Sequence, residues 1–111
     1  MAITKTDLFT TEQQKMAEMF KAMGHPARVA ILELLSRRHA CFCGDITQEL
    51  PLAQSTISQH LKALKEAGLI QGEIEGVKTC YCLSEEGIAQ LHELAPSFIT
   101  QLNAINNKSC C

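Results

Sequence analysis

Two sets of residues in this sequence can do chemistry by their type and spacing. The first is six cysteines in three close pairs, Cys41/Cys43, Cys80/Cys82 and Cys110/Cys111. In a secreted chain they would suggest disulfides, whereas in a reducing compartment such pairs point to a soft-ion site or a redox sensor. The second set lies in residues 51–69, PLAQSTISQHLKALKEAGL. Ile57, Leu61 and Leu64 fall at i, i+4 and i+7, one face of a helix. The opposite face carries Ser55, Gln59, Lys62 and Glu66, with Ser58 on its shoulder. Lysine and serine reach phosphates, and glutamine and serine read base edges, so this face suits the major groove of a duplex. Most polar helix faces are merely solvated, and the neighbouring residues decide between the two readings. Upstream, GDITQEL has helical spacing at Ile46 and Leu50, and only Pro51, Leu52 and Ala53 separate it from the next helix. Two short helices joined so tightly predict a helix-turn-helix whose second helix enters DNA.

The elements that must hold these residues fit one compact domain. The chain has 111 residues, 46% of them hydrophobic, which is too few for two cores. No apolar run approaches the roughly 20 residues of a membrane span, and MAITKTDLF lacks a signal-peptide core. The expectation is therefore a cytoplasmic protein with no membrane partner. There is no tryptophan and aromatics make up 5% of the chain, which disfavours stacking on single strands. A formal net charge of -2 gives no bulk attraction to nucleic acid. Affinity must then come from local cations, for which Arg28, Arg37, Arg38, Lys62, Lys65 and Lys78 are the candidates, and from two copies of the domain. No glycine-rich phosphate loop or nucleophile–base signature is present, so an enzyme is not expected.

In chain order, Thr10 with Gln13, or Thr11 with Gln14, can form a capping box. Met16, Met19, Phe20 and Met23 then repeat at helical spacing until Gly24. Pro26 suits the first turn of a helix reaching about Arg38, whose Val29, Ile31, Leu32, Leu34 and Leu35 cover a wide arc facing the core. Residues 39–43 predict a brief strand. Gly68 can close the groove helix in a left-handed conformation, with Leu69 packing back. Residues 70–74 and 77–83 flank a glycine turn and read as a hairpin. In its second strand Val77, Thr79, Tyr81 and Leu83 share one face, and Lys78, Cys80 and Cys82 the other. A hairpin placed directly after such a helix is a wing, with Lys78 at its tip the expected phosphate contact. Ser84 can cap a last helix with a heptad-like seam of Ile88, Leu91, Ala95, Phe98, Leu102 and Ile105, interrupted or kinked at Pro96. That seam exceeds what a small domain needs for itself and predicts a symmetric homodimer.

MGHPARVAILELL, LAQSTISQHLKALKEAGLI and EGVKTCYCL together resemble the dimeric winged-helix repressors of the ArsR/SmtB family. The resemblance runs without gaps over roughly residues 19–83. It implies a mainly α fold with a small β-hairpin wing, and a repressor that leaves a palindromic operator when an inducer binds. It places DNA contacts at Gln54, Ser55, Thr56, Ser58, Gln59 and His60. Two features depart from the family pattern. Ala53 stands where a serine usually caps the helix, and no histidine follows His92 and Glu93 to complete the family's zinc site on the last helix.

Arsenic-responsive members open the first helix of the motif with Cys-x-Cys-Asp, while this chain has Cys41-Phe42-Cys43-Gly44-Asp45. Counted from Pro26, the family's thiol positions fall on Phe42 and Gly44, and Cys41 and Cys43 take positions usually filled by buried aliphatics. In a winged helix the strand before the motif pairs with the second wing strand, bringing Cys41 and Cys43 beside Cys80 and Cys82. Three or four thiolates there suit arsenite, Zn(II), Cd(II) or Cu(I), with no organic cofactor implied. Cys110 and Cys111 can complete the site as an arm, or stand apart from it. Disulfide or persulfide sensing is the rival chemistry, and a purely structural role for the first pair stays open. The expected organisation is one domain over residues 1–105, with the helix-turn-helix at about 44–68 and the wing at about 70–83. Dimerisation helices are expected at about 11–23 and 85–105, and a flexible tail at 106–111.

Overall fold

Helix α1 (Thr11–Met23) begins at the first of the two possible capping boxes. The Thr10 hydroxyl accepts from the Gln13 amide at 3.0 Å, and Gln13 Oε1 accepts from the Thr10 amide at 2.9 Å. A computed structural model of the chain describes residues 8–37, 41–43, 46–73 and 80–104. After Gly24, His25 caps helix α2 (Pro26–Ser36), its Nδ1 accepting from the Ala27 amide at 3.0 Å. This helix ends at Ser36 rather than near Arg38, which lies outside the described residues. Ile31, Leu34 and Leu35 are buried as its wide apolar arc predicts, but Val29 at the edge of that arc is 43% exposed.

Strand β1 (Phe42–Cys43) is followed by a single 3-10 turn at Ile46–Gln48, not by the α-helix that the GDITQEL spacing predicts. Pro51 accounts for the difference, because it pushes Leu50 out of α conformation and leaves room for only one tight turn. The Glu49 and Leu50 amides both donate to the Ile46 carbonyl, at 3.0 and 3.2 Å, and Ile46 itself is buried. Helix α3 (Gln54–Glu66) then buries Ile57, Leu61 and Leu64, each at most 1% exposed. Its end is fixed by Gly68 at φ 81. The Gly68 amide donates to the Lys65 carbonyl and the Leu69 amide to the Leu64 carbonyl, both at 3.0 Å. The start of α3 is weaker, since Ala53 makes no side-chain cap bond. Ala53→Ser should therefore raise the free energy of unfolding by about 1 kcal/mol, measured by urea denaturation.

Strands β2 (Ile70–Glu73) and β3 (Cys80–Leu83) complete an antiparallel sheet ordered β1-β3-β2. Phe42 lies opposite Tyr81, and Cys43 opposite Cys80. Alternation along each strand turns Phe42 and Tyr81 inward, where both are buried. Helix α4 (Glu85–Asn103) starts with the Ser84 hydroxyl accepting from the Gly87 amide at 3.1 Å. Gly87 sits against the Gly68 carbonyl so closely that a Cβ there would collide with it, which packs the start of α4 onto the end of α3. Of the two expected outcomes at Pro96, a kink or an interruption, the interruption does not occur, and α4 runs on through it. Pro96 and His92 are both exposed, so water can take up the carbonyl that the missing amide leaves unpaired. Among the described residues no helix is long and apolar enough to cross a membrane.

Candidate nucleic-acid interface and thiol cluster

Because α3 is held by three fully buried side chains on one side, its other side is fixed in direction. Ser55, Gln59 and Lys62 are exposed in a line at i, i+4 and i+7, flanked by exposed Gln54. Thr56 and Ser58 are half-buried on the two shoulders. The line offers a hydroxyl, a carboxamide and an ammonium group. That set can donate to and accept from base edges at its centre and meet phosphate at its end. Lys78 and the rest of the wing tip lie outside the described residues.

The sixth helix position implied by the resemblance, His60, points the other way. It is 8% exposed, and its Nδ1 accepts from Arg28 Nε at 3.1 Å. Its expected role as a groove contact is corrected on that ground, for the ring is inside the protein. The wheel holds the signal, since at about 100° per residue His60 lies about 40° from Leu64 and about 60° from Ile57, at the edge of the buried side. Arg28, half-buried, donates to His60 and, through Nη1, to the Ala22 carbonyl at 3.2 Å. The His25 ring leans on His60 with centroids 4.5 Å apart. Burial pushes the His60 pKa below its ordinary 6.5, and the charges of His25 and Arg28 lower it further.

On the outward face of the sheet, four of the cysteines meet. Cys41 is bonded to Cys82 and Cys43 to Cys80, with Cα–Cα separations of 4.4 and 4.1 Å. Cys41, Cys43 and Cys80 are exposed and Cys82 is half-buried. The expectation that Cys41 and Cys43 fill buried aliphatic positions is thus overturned. Phe42 takes the inward place and the strand pleat turns its two neighbours out. Gln71, which the sequence does not mark as part of this cluster, donates from Nε2 to Cys82 Sγ at 3.8 Å. Strand register explains it, because Gln71 lies directly opposite Cys82 on the same face. The four sulfurs lie as two adjacent cross-strand pairs; among the described residues no group of three or more His, Cys, Asp or Glu side chains is arranged to hold a metal ion. Cys110 and Cys111 lie outside the described residues.

Comparison with known proteins gives a consistent picture. The family model described as bacterial regulatory protein, arsR family, matches residues 25–71. An uncharacterised helix-turn-helix-type transcriptional regulator of Methanocaldococcus jannaschii is 39% identical over 82 residues, covering 73% of this chain and 91% of that protein. The arsenical resistance operon repressor of Bacillus subtilis is 37% identical over 86 residues, 77% of each chain. Among solved structures, a homodimeric winged helix-turn-helix DNA-binding domain from Mycobacterium bovis superposes with a TM-score of 0.62 at 22% identity, covering 99% of both chains.

Proposed function

Since the chain belongs to the ArsR/SmtB family of winged-helix transcriptional repressors, which are regulators and not enzymes, we propose that it represses by inserting α3 into operator DNA as a dimer. The observation that carries this reading is the Ser55–Gln59–Lys62 line, solvent-facing on a helix whose opposite side is locked in the core. Two such helices related by a two-fold axis read an inverted repeat, so the operator is palindromic. The surface for the two-fold is on α1 and α4. Phe20, Ile99 and Leu102 are 37%, 59% and 51% exposed there, and the Phe98 ring lies 6.1 Å from that of Phe20. Apolar groups so exposed on two adjacent helices are what an isologous interface covers.

The inducer site in this proposal is the cluster of Cys41, Cys43, Cys80 and Cys82. Its thiolates bind arsenite or a soft metal ion such as Zn(II), Cd(II) or Cu(I). The cluster joins the wing strand β3 to β1, just ahead of the helix-turn-helix. An ion drawing those strands together changes the tilt of α3 against its groove. A second reading, disulfide sensing, is favoured by the cross-strand bonding of both pairs. Each bridge then forms as two thiols lose two protons and two electrons to a peroxide, which leaves as two waters. Titrating the reduced full-length protein with arsenite, with Zn(II) and, separately, with hydrogen peroxide tests both. Release from a duplex taken from upstream of its own gene is followed by fluorescence anisotropy. Release by near-stoichiometric arsenite or metal supports the first reading and release by peroxide alone the second, while indifference to all three refutes the thiol site.

A further inference from the structure

His60 and Arg28 are both expected DNA contacts, yet His60 is buried and Arg28 is bonded to it. Together with His25 they form a polar knot where three helices meet. Arg28, on the first turn of α2, donates Nε to His60 on α3 and Nη1 to the Ala22 carbonyl at the end of α1. His25, the cap of α2, leans its ring on His60 and accepts the Ala27 amide through its own Nδ1. The charged groups bearing on His60 are His25 and Arg28. From α1 comes the Ala22 carbonyl, relayed through Arg28. Of the other elements packed against α3, the turn Ile46–Gln48 and strand β2 contribute buried Ile46 and Ile70, and α4 meets its far end, at Gly87 against Gly68.

Arginine has only donors to offer, so His60 Nδ1 is the acceptor and its proton sits on Nε2. We infer that His60 is a positioning residue for DNA binding, holding α3 at its angle to α2 through an acceptor bond that exists only while its imidazole is neutral. Adding a proton places an N–H at Nδ1 facing the Arg28 N–H, and a positive ring between a guanidinium and a second histidine. Acceptor bond and electrostatics are then lost together, in the middle of the surface on which the groove helix rests. Burial of the ring, with His25 and Arg28 beside it, disfavours that proton and lowers the His60 pKa. The consequence for DNA rests on the repressor reading, whereas the knot itself does not.

The test has two arms on the full chain. In long-range 1H–15N spectra, His60 should show the Nε2–H tautomer at neutral pH and titrate below the ordinary histidine value of 6.5. An Nδ1–H tautomer, or titration at or above that value, overturns the inference. In the second arm, anisotropy with the upstream duplex at constant salt compares wild type with His60→Asn. The asparagine's amide oxygen can replace the Nδ1 acceptor without titrating. Wild-type affinity should fall about tenfold from about pH 7.5 to about pH 5.5, and that of H60N by less than about threefold. His25, His39 and His92 are present in both proteins, so the difference between the slopes isolates His60. Equal slopes overturn the positioning role. If no upstream duplex binds at any pH, the repressor reading fails and the spectra alone decide the knot.

Discussion

The double substitution Ser55→Ala, Gln59→Ala will lower affinity for the operator by about 1,000-fold while leaving the fold intact. Each base-edge contact of this kind is worth about 1–3 kcal/mol. Two contacts per protomer become four in a dimer, so even at the low end the loss is about 4 kcal/mol. Stability should hold, because both side chains are exposed and alanine is the better helix former at each position. Anisotropy titrations at fixed salt measure the affinity, and thermal unfolding followed by circular dichroism checks the fold. Lys62→Ala should behave differently, weakening binding to all sequences alike and flattening its salt dependence. If the double variant binds its operator normally, α3 does not read DNA through this face.

The second large effect falls on induction. Cys80→Ser with Cys82→Ser should leave DNA binding near wild type and abolish release at arsenite concentrations that fully release the wild-type protein. Each cross-strand pair loses one member, since Cys82 faces Cys41 and Cys80 faces Cys43. What remains of the cluster is Cys41 and Cys43, two residues apart and roughly 7 Å apart along the chain, too few on their own for a three-sulfur site. With both proteins compared in the reduced state, where neither cross-strand bridge is present, serine for these exposed and half-buried cysteines changes stability by about 0.5 kcal/mol or less, so a folding defect does not explain the loss. A normal response would remove the cluster as the sensor and leave the DNA-reading face untouched.

Periodicity carried most of this architecture. The Thr10 capping box, the buried Ile57–Leu61–Leu64 stripe, the Gly68 turn and the Ser84 cap are local features, and all are found in the structure. The convergence of Cys41 and Cys43 with Cys80 and Cys82 was legible from the strand order that a winged helix imposes. Other features depended on competition between signals. At Ile46 and Leu50 the helical spacing was real, but Pro51 limited the segment to one turn. At Pro96 a helix breaker was overruled within a 19-residue helix. His60 was misplaced because the family pattern, which marks it as a groove contact, outweighed its position on the wheel. The Arg28 bond that explains its burial joins residues 32 apart, beyond the reach of any local pattern.

The claim on which the rest depends is that two copies of α3 occupy neighbouring major grooves of one duplex. Hydroxyl-radical footprinting of the DNA upstream of the protein's own gene, with the reduced full-length protein, tests it most directly. The account predicts two symmetric protected patches on one side of the helix, centred about 10 base pairs apart or a multiple of that, over an inverted repeat. A single unsymmetrical patch, or no protection at low salt, would contradict it.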